Sequence, residues 1–299
     1  MSHLQSSQLF SVQGRVAVIT GGGSGLGRIM ASALATNGAS KVFILGRRED
    51  SLKETAALKP DTIIPVPADV TSKPSLEAAY NTIAAQTSHI DLLVANSGIL
   101  GPPAQAPANT DGSPPTLSQV RDFLWAVPME DFTRTFDVNV TGAYYTVLAF
   151  LPLLEAANKR RPAPEKNVMS SPLAQVIITT SIAGYNRAVP FGLSYNTSKA
   201  AANHLVKVLS TYLVPYGIRV NGIAPGLYHS EMSQGSFAEG EKGVSDGSFP
   251  RDRIPATRGG SEEDMAGLVL FMASSSGGYM NGSIIITDGG RLSQLPSSF

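Results

Sequence analysis

The fold of this chain is decided near its start by the stretch VAVITGGGSGLG, residues 16–27. A β-branched apolar run leads directly into a glycine cluster, and apolar residues then recur at helical spacing at Ile29, Met30, Ala33 and Leu34. This order predicts a strand, a tight turn and a helix. Glycines let a diphosphate approach the backbone closely, and the N–H groups at a helix N-terminus favour an anion. We therefore expect a dinucleotide to bind at this turn.

The spacing of the glycines is Gly21-x-x-x-Gly25-x-Gly27. It differs from the commonest dinucleotide fingerprint, G-x-G-x-x-G. A merely flexible turn is the alternative interpretation. The flanking strand and helix favour phosphate binding, because the fingerprint works only in that context.

The rest of the chain alternates short apolar runs with helical patterns. We predict strands near 15–20, 41–46, 62–67, 91–95, 175–180, 218–223 and 283–287, and helices near 25–37, 74–87, 129–157, 194–214 and 262–273. Continuous apolar strands are typical of parallel sheets that are covered on both faces. The alternation predicts an α/β fold, a doubly wound parallel sheet flanked by helices, in a single domain over residues 1–299.

A second motif places Tyr195 and Lys199 four residues apart at the start of an Ala-rich helical stretch. Residues at this spacing share a helix face. A free phenol has a pKa of about 10, and a neighbouring ammonium favours the phenolate. We predict that Lys199 lowers the pKa of Tyr195 into the range of an acid–base catalyst. Ser181 ends an apolar run and is expected to hydrogen-bond the same substrate oxygen; a surface Lys beside a half-buried Tyr is the alternative interpretation.

With these motifs in order, the chain resembles the classical short-chain dehydrogenases/reductases over about residues 10 to 292. The resemblance implies a Rossmann-like sheet of about seven strands, a nicotinamide cofactor and a catalytic set. That set falls on Asn139, Ser181, Tyr195 and Lys199, with Asn139 holding a water in a proton relay. The expected cofactor-binding residues are Thr20, Gly21, Gly23, Ser24, Gly25, Leu26, Gly27, Arg47, Arg48, Asp69, Val70, Asn96, Ser97, Gly98, Tyr195, Lys199, Pro225, Gly226 and Ser230.

The chain departs from the family pattern at three places. Ser97 replaces the Ala of the Asn-Ala-Gly motif, and Ser230 replaces the Thr that follows the Pro-Gly turn. An insertion rich in Pro, Ala, Ser and Gly occupies residues 101–128. Residue-by-residue transfer from the family does not extend into that insertion.

The cofactor is predicted to be NADP(H) from the end of the second strand. NAD-specific sites place an acid about 20 residues after the glycines, and here that position is Gly46, followed by Arg47 and Arg48. A guanidinium pairs with a 2′-phosphate through charge-assisted hydrogen bonds. The alternative interpretation is a solvated helix start.

Composition excludes several other classes of protein. Lys and Arg number 23, as do Asp and Glu, so no basic excess indicates nucleic acid. The chain has no cysteine, and its histidines have no metal-ligand spacing. We see no secretion signal and no apolar stretch of about 18 residues. We therefore expect a cytoplasmic enzyme with a small-molecule substrate, without a metal, membrane or nucleic-acid partner.

The expected reaction is reduction of a carbonyl, or oxidation of a hydroxyl, on a bulky and largely apolar molecule of specialised metabolism. Residues 227–256 form a long segment expected to be a substrate lid. Its aromatics, with Phe123, Leu124 and Trp125 of the insertion, either line a roomy pocket or pack the loops onto the body. A non-redox cyclase or isomerase and an NADPH-binding sensor remain alternative functions. The resemblance also implies a homodimer or homotetramer formed through helix 194–214 and stretch 143–154, which are otherwise simply buried helices.

Overall fold

The computed structural model describes residues 4–106, 108–189, 192–237 and 240–298. Within them, seven strands alternate with nine α-helices. The strands are β1 Val16–Thr20, β2 Lys41–Gly46, β3 Ile63–Pro67, β4 Leu92–Ala95, β5 Gln175–Thr179, β6 Arg219–Pro225 and β7 Ile284–Thr287. The helices are α1 Ser6–Leu9, α2 Gly25–Thr36, α3 Glu49–Ala56, α4 Lys73–Ala84, α5 Leu117–Trp125, α6 Met129–Phe136, α7 Ala143–Lys159, α8 Leu193–Tyr212 and α9 Glu262–Ala273.

The strands form one parallel sheet in the order β3-β2-β1-β4-β5-β6-β7. This confirms the predicted doubly wound α/β fold. The chain leaves β1 towards β2 and β3 on one side, and then returns to place β4 on the other side of β1. Such a reversal opens a crevice at the carboxyl ends of the two strands, which is where doubly wound sheets bind ligands.

Each face of the sheet packs against its own layer of helices. Successive side chains of a strand point to opposite faces, so Val18 packs with Phe150 of α7 on one face. Ile19 packs with Met30 of α2 and Val269 of α9 on the other face. Because both faces of the sheet are covered by apolar side chains, the strands appear in the sequence as continuous apolar runs.

Three helices were not predicted: α1, α3 and α5. Helix α3 is short and charged, and it is fixed by burying Leu52 and Thr55 rather than by a long apolar stripe. Helix α5 lies in the insertion and begins with a capping box, in which Thr116 accepts from the Gln119 N–H and the Gln119 side chain accepts from the Thr116 N–H. The Thr-x-x-Gln spacing was the available signal for this helix.

The single helix predicted over 129–157 is interrupted in the structure. Residues Asp137–Gly142 wind as a π-helix between α6 and α7. Such wide turns often occur at functional sites, and Asn139 lies inside this one. Local sequence did not reveal the break, because the turn depends on the contacts that Asn139 makes with distant residues.

The helical run Met129–Lys159 is long and apolar enough, by length and composition, to cross a membrane. In the fold, Val147, Phe150 and Leu154 of this run are fully buried against the sheet and its neighbouring helix α4. A helix that packs into the core of a globular domain has the same length and composition as a spanning helix.

Candidate active site

A cavity of about 350 Å³ lies at the carboxyl ends of the strands, over the point where the strand order reverses. It is lined by segments that follow each of the seven strands. Of the predicted site residues, the structure brings these to its wall: Gly21, Gly23, Ser24, Gly25, Leu26, Arg47, Arg48, Asp69, Val70, Asn96, Ser97, Gly98, Ser181, Tyr195, Lys199, Pro225, Gly226 and Ser230. Thr20, Gly27 and Asn139 are not part of the wall.

Thr20 and Asn96 hold the ends of β1 and β4 together directly behind the cavity. The Thr20 hydroxyl oxygen accepts hydrogen bonds from the backbone N–H groups of Asn96 (2.9 Å) and Ser97 (3.1 Å). The Asn96 side-chain amide donates in return to the Thr20 carbonyl (3.0 Å). Thr20 therefore helps to shape the cavity floor.

The glycine turn is shaped for close approach by a diphosphate. Gly25 has φ +50°, a left-handed conformation that glycine adopts without strain. A Cβ on Gly27 would overlap the carbonyl oxygen of Gly21 and come within 2.7 Å of the Asn96 amide nitrogen. The N-terminus of α2 begins at this turn, and its N-cap, Ser24, makes no side-chain cap bond. The residues present thus fit the phosphate end of a dinucleotide.

Substituting Gly27→Ala is expected to destabilise the fold by several kcal/mol and to weaken cofactor binding, because the new methyl group collides with backbone. Gly267, inside α9, offers a matched control, since a Cβ there meets nothing within 4 Å. Gly267→Ala should instead stabilise by about 0.5–1 kcal/mol. Thermal unfolding and cofactor titration check both variants; equal effects at the two positions would contradict this account.

Ser181, Tyr195 and Lys199 meet at one wall of the cavity. Tyr195 and Lys199 lie on one face in the first turns of α8 and are 7% and 4% exposed. Ser181 directly follows the end of β5 and is hydrogen-bonded to the Tyr195 side chain. The Ser181 Oγ also accepts from the Ala183 N–H (3.1 Å), which fixes the position of its hydroxyl. The predicted grouping of these residues is therefore present.

Lys199 is held by a carbonyl rather than by a carboxylate. Its ammonium donates to the Thr179 carbonyl at 2.8 Å and lies 5.8 Å from the centre of the Tyr195 ring. Burial lowers the pKa of Lys199 to about 8. The lysine nonetheless stays mostly protonated at neutral pH and carries a desolvated positive charge beside the phenol.

The pKa of Tyr195 differs in direction from the prediction. Burial raises the pKa of the phenol, and the hydrogen bond with Ser181 lowers it by less. Desolvation dominates because the whole side chain lies in the protein interior. The structure therefore favours a neutral Tyr195 hydroxyl, which is the form that donates a proton.

Asn139 joins the segment after β4 to α8. Its side-chain amide donates to the Ile99 carbonyl (3.0 Å) and to the Ser198 hydroxyl (3.0 Å), and its oxygen accepts from the Ile99 N–H (2.9 Å). Both amide hydrogens are thus used within the protein. A relay water could be held only by an oxygen of this residue.

The two adjacent arginines after β2 have different surroundings. Arg48 donates to the Ser24 hydroxyl (3.1 Å) and pairs with Glu231 (2.7 Å), which raises the pKa of Arg48. Arg47 lies on the cavity wall near Asp69. Burial raises the pKa of Asp69, but hydrogen bonds from Thr71 and the charge of Arg47 lower it by more.

The substrate end of the cavity is less aromatic than the lid suggested. Phe237 and Phe249 pack against each other, with ring centres 5.7 Å apart, over Leu227 and Ile254. Trp125 is 76% exposed and is not on the wall. Tyr228 of the same segment does lie on the cavity wall. The lid therefore contributes one aromatic ring to the pocket, whereas Phe237 and Phe249 pack onto their own segment.

Several wall residues were missed by sequence reasoning. They include Glu231, Asn186 and Arg291. Their common signal was available: each lies in a segment that follows the carboxyl end of a strand, and ligands of such sheets bind at that edge. No residue pattern distinguished them from ordinary loop residues.

Known proteins share this fold and these motifs. A family profile described as short chain dehydrogenase matches residues 15–241. The short-chain dehydrogenase/reductase PhomF of Diaporthe leptostromiformis is 42% identical over 303 residues, covering 99% of this chain and 97% of that protein. Among solved structures, the RhlG/NADP active-site complex of Pseudomonas aeruginosa matches with a TM-score of 0.75 and 28% identity, covering 95% of this chain and 98% of that one. A 3-ketoacyl-(acyl-carrier-protein) reductase from Brucella melitensis complexed with NADH matches with a TM-score of 0.73 and 27% identity, covering 94% and 100%.

Family, fold and site agree with one another. The family profile spans most of the chain, and the relatives match over nearly their whole lengths. The glycine turn and the Ser181, Tyr195 and Lys199 group line one cavity. The fold implies a nicotinamide cofactor, and the chain is an oxidoreductase that acts on a small molecule. It belongs to the short-chain dehydrogenase/reductase family.

Proposed function

We propose that this chain is an NADP(H)-dependent carbonyl reductase or alcohol dehydrogenase that acts on a bulky, largely apolar molecule. The observation that carries the proposal is the buried Ser181, Tyr195 and Lys199 group on the wall of the cavity that also holds the glycine turn. Leu227 and Met232 provide apolar wall at the substrate end.

Each residue of the site has a separate role in proton transfer. In the reducing direction the bound nicotinamide supplies a hydride to the carbonyl carbon, and negative charge develops on the carbonyl oxygen. Tyr195 donates its proton to that oxygen, and the Ser181 hydroxyl donates a hydrogen bond to the same atom. Lys199 stabilises the phenolate that remains, and its other N–H groups would hold the ribose hydroxyls of the cofactor. Asn139 keeps α8 in register with the cavity floor.

The preference for NADP(H) is proposed from local charge. No carboxylate stands at Gly46, and Arg47 makes no direct ion pair in the described part of the chain, whereas Arg48 is already paired with Glu231. Arg47 is therefore the guanidinium available to a 2′-phosphate. The RhlG structure contains NADP and the Brucella reductase contains NADH, so relatives of this fold accept either form.

Arg47→Ala is expected to raise the KM for NADPH about 10- to 100-fold, because a charge-assisted hydrogen bond contributes about 1.5–3 kcal/mol. The KM for NADH should change little. Arg48→Ala is the matched control and should have a smaller effect, since Glu231 already engages that side chain. Steady-state kinetics with NADPH and with NADH measure these effects. Tighter binding of NADH than of NADPH by the unmodified protein would refute the NADP(H) preference.

A screen of bulky ketones with NADPH tests the reaction itself. Product mass, measured with and without NADPH, separates reduction from the two alternative functions. A cyclase or isomerase leaves the substrate mass unchanged, and a sensor forms no product. A product two hydrogens heavier that forms only with NADPH is the result expected.

We also propose that the protein assembles as a homodimer or homotetramer through α7 and α8. Tyr144 on α7, with Val208 and Tyr212 on α8, leaves apolar surface exposed on these two helices. Exposed apolar patches of this kind mark association surfaces. Light scattering of the purified protein measures its mass in solution and tests this.

A further inference from the structure

Arg291 lies on the cavity wall without a partner for its charge. It follows β7 in the short helical turn Arg291–Gln294 and is half-buried. Within the described residues, its guanidinium makes no hydrogen bond and no ion pair. The carboxylate of Asp288, whose charge acts on Arg291, accepts from the backbone N–H groups of Gly290 (2.9 Å) and Leu292 (2.7 Å). The charge of Arg291 is thus presented to the cavity rather than used by the fold.

The position of Arg291 in the sheet separates it from the adenosine end of the cavity. Neighbouring strands lie about 4.8 Å apart, and five strand spacings separate β7 from β2, which carries Arg47 at its end. The backbone of Arg291 therefore lies about 24 Å from the adenosine end of the cavity. The strand before Ser181, β5, is two spacings away, or about 10 Å. Arg291 belongs to the substrate end.

Asn186 supplies a second donor at the same end of the cavity. It is 8% exposed and lines the wall. Its side-chain oxygen accepts from the Ala188 N–H (2.8 Å), which fixes the orientation of the amide. The –NH₂ group of this amide has no acceptor in the described chain. This nitrogen is not one of the enclosed side-chain atoms that lack a partner, so it is open to the cavity and able to donate to a ligand.

The chain's last residues hold the Asn186 loop in place. The Arg187 N–H donates to the Pro296 carbonyl (2.7 Å), and the Ser298 N–H donates to the Tyr185 carbonyl (2.8 Å). These bonds join the loop after β5 to the segment after Arg291. Arg291 and Asn186 therefore lie on segments that are hydrogen-bonded to each other.

The surroundings of Arg291 are positive. Burial is the largest cause that lowers the pKa of Arg291, and the positive charge of nearby Arg253 lowers this pKa further. The negative charge of Asp288 raises the pKa by less. Arg253 itself stacks over the Phe249 ring at 4.9 Å. Two guanidinium groups near one end of a cavity attract an anion and disfavour a cation.

We infer that Arg291 and Asn186 form a subsite for a carboxylate on the substrate, with the apolar body of the substrate lying towards Tyr195. The inference rests on the proposed carbonyl chemistry and narrows its substrate class. A guanidinium presents paired donors that match a carboxylate, and partial burial strengthens the pairing. The same anion would accept from the Asn186 amide.

Matched pairs of ketones test this subsite. The probes are benzoylformate, benzoylpropionate and benzoylbutyrate, each compared with its methyl ester, which keeps the ketone and removes the charge. We expect at least one acid to be reduced about tenfold or more efficiently than its ester, in kcat/KM. In Arg291→Gln that ratio should fall towards one, chiefly through KM, and Arg291→Lys should retain part of it. Arg121→Gln, on the exposed face of α5, is the control.

The outcomes separate the subsite from the reaction. Reduction of the esters by NADPH supports the proposed chemistry independently of Arg291. Equal efficiency on acids and esters, or an acid preference that survives in Arg291→Gln, overturns the subsite. If no probe is reduced, calorimetric titration of the same pairs into the NADP⁺-loaded protein decides: tighter binding of an acid that Arg291→Gln abolishes supports the subsite, and equal binding overturns it.

Discussion

Replacing Tyr195 with Phe is expected to lower kcat/KM for ketone reduction about a thousandfold, the scale of a lost general acid. Phe keeps the ring that packs at the start of α8 and removes only the hydroxyl that would donate the proton. The hydroxyl is neutral at physiological pH, because burial raises its pKa. Binding of NADPH and the melting temperature should therefore change little.

The matched control for this substitution is Tyr80→Phe. Tyr80 lies on α4 and packs near Phe150, with ring centres 6.2 Å apart, far from the cavity wall. It should retain full activity. A Tyr195→Phe protein that consumed NADPH with a ketone at the original rate would exclude Tyr195 as the proton donor.

Replacing Lys199 with Met is expected to act on activity and stability in different ways. Activity should fall by a factor of at least about 100, because the phenolate loses its neighbouring charge and the ribose loses a donor. The effect of this substitution on the stability of the folded protein should depend on pH. A buried ammonium whose pKa falls from 10.5 to about 8 carries a charging penalty of about 3 kcal/mol in the folded state.

The sign of that pH dependence follows from proton binding. Between about pH 8 and 10.5 the unfolded chain holds the Lys199 proton more tightly than the folded chain does, so folding becomes more favourable as pH rises. The penalty is fully present below about pH 8 and is absent in Lys199→Met. The variant should thus gain most relative to the unmodified protein at neutral pH and lose this advantage as pH rises through that window.

Thermal unfolding from pH 7 to 10 measures this difference. The lost bond to the Thr179 carbonyl costs the variant about 1–3 kcal/mol at every pH, so the change with pH is diagnostic rather than the offset. Lys166→Met, at an exposed position, controls for general charge effects. A stability difference independent of pH would mean that Lys199 is not buried as a charged group.

Much of the fold was predictable because its signals are local. The apolar run before Gly21 and the helical pattern after Gly27 defined β1 and α2, and similar runs placed the other strands within two residues of their observed bounds. Helix α3 was missed because its burial of Leu52 depends on β2 and β3, which a short charged segment does not reveal. The π-helix around Asn139 was missed for the same reason.

The sequence by itself determined the strand–turn–helix at the glycines and the shared helix face of Tyr195 and Lys199, because backbone sterics and the helical period act between near neighbours. Only the tertiary structure decided the net effect of burial on the Tyr195 phenol and the pairing of Arg48 with Glu231, 183 residues away. The same holds for the exposure of the Arg291 charge to the cavity. Desolvation and ion pairing depend on which distant segments meet, and the sheet order, not the local pattern, brings those segments together.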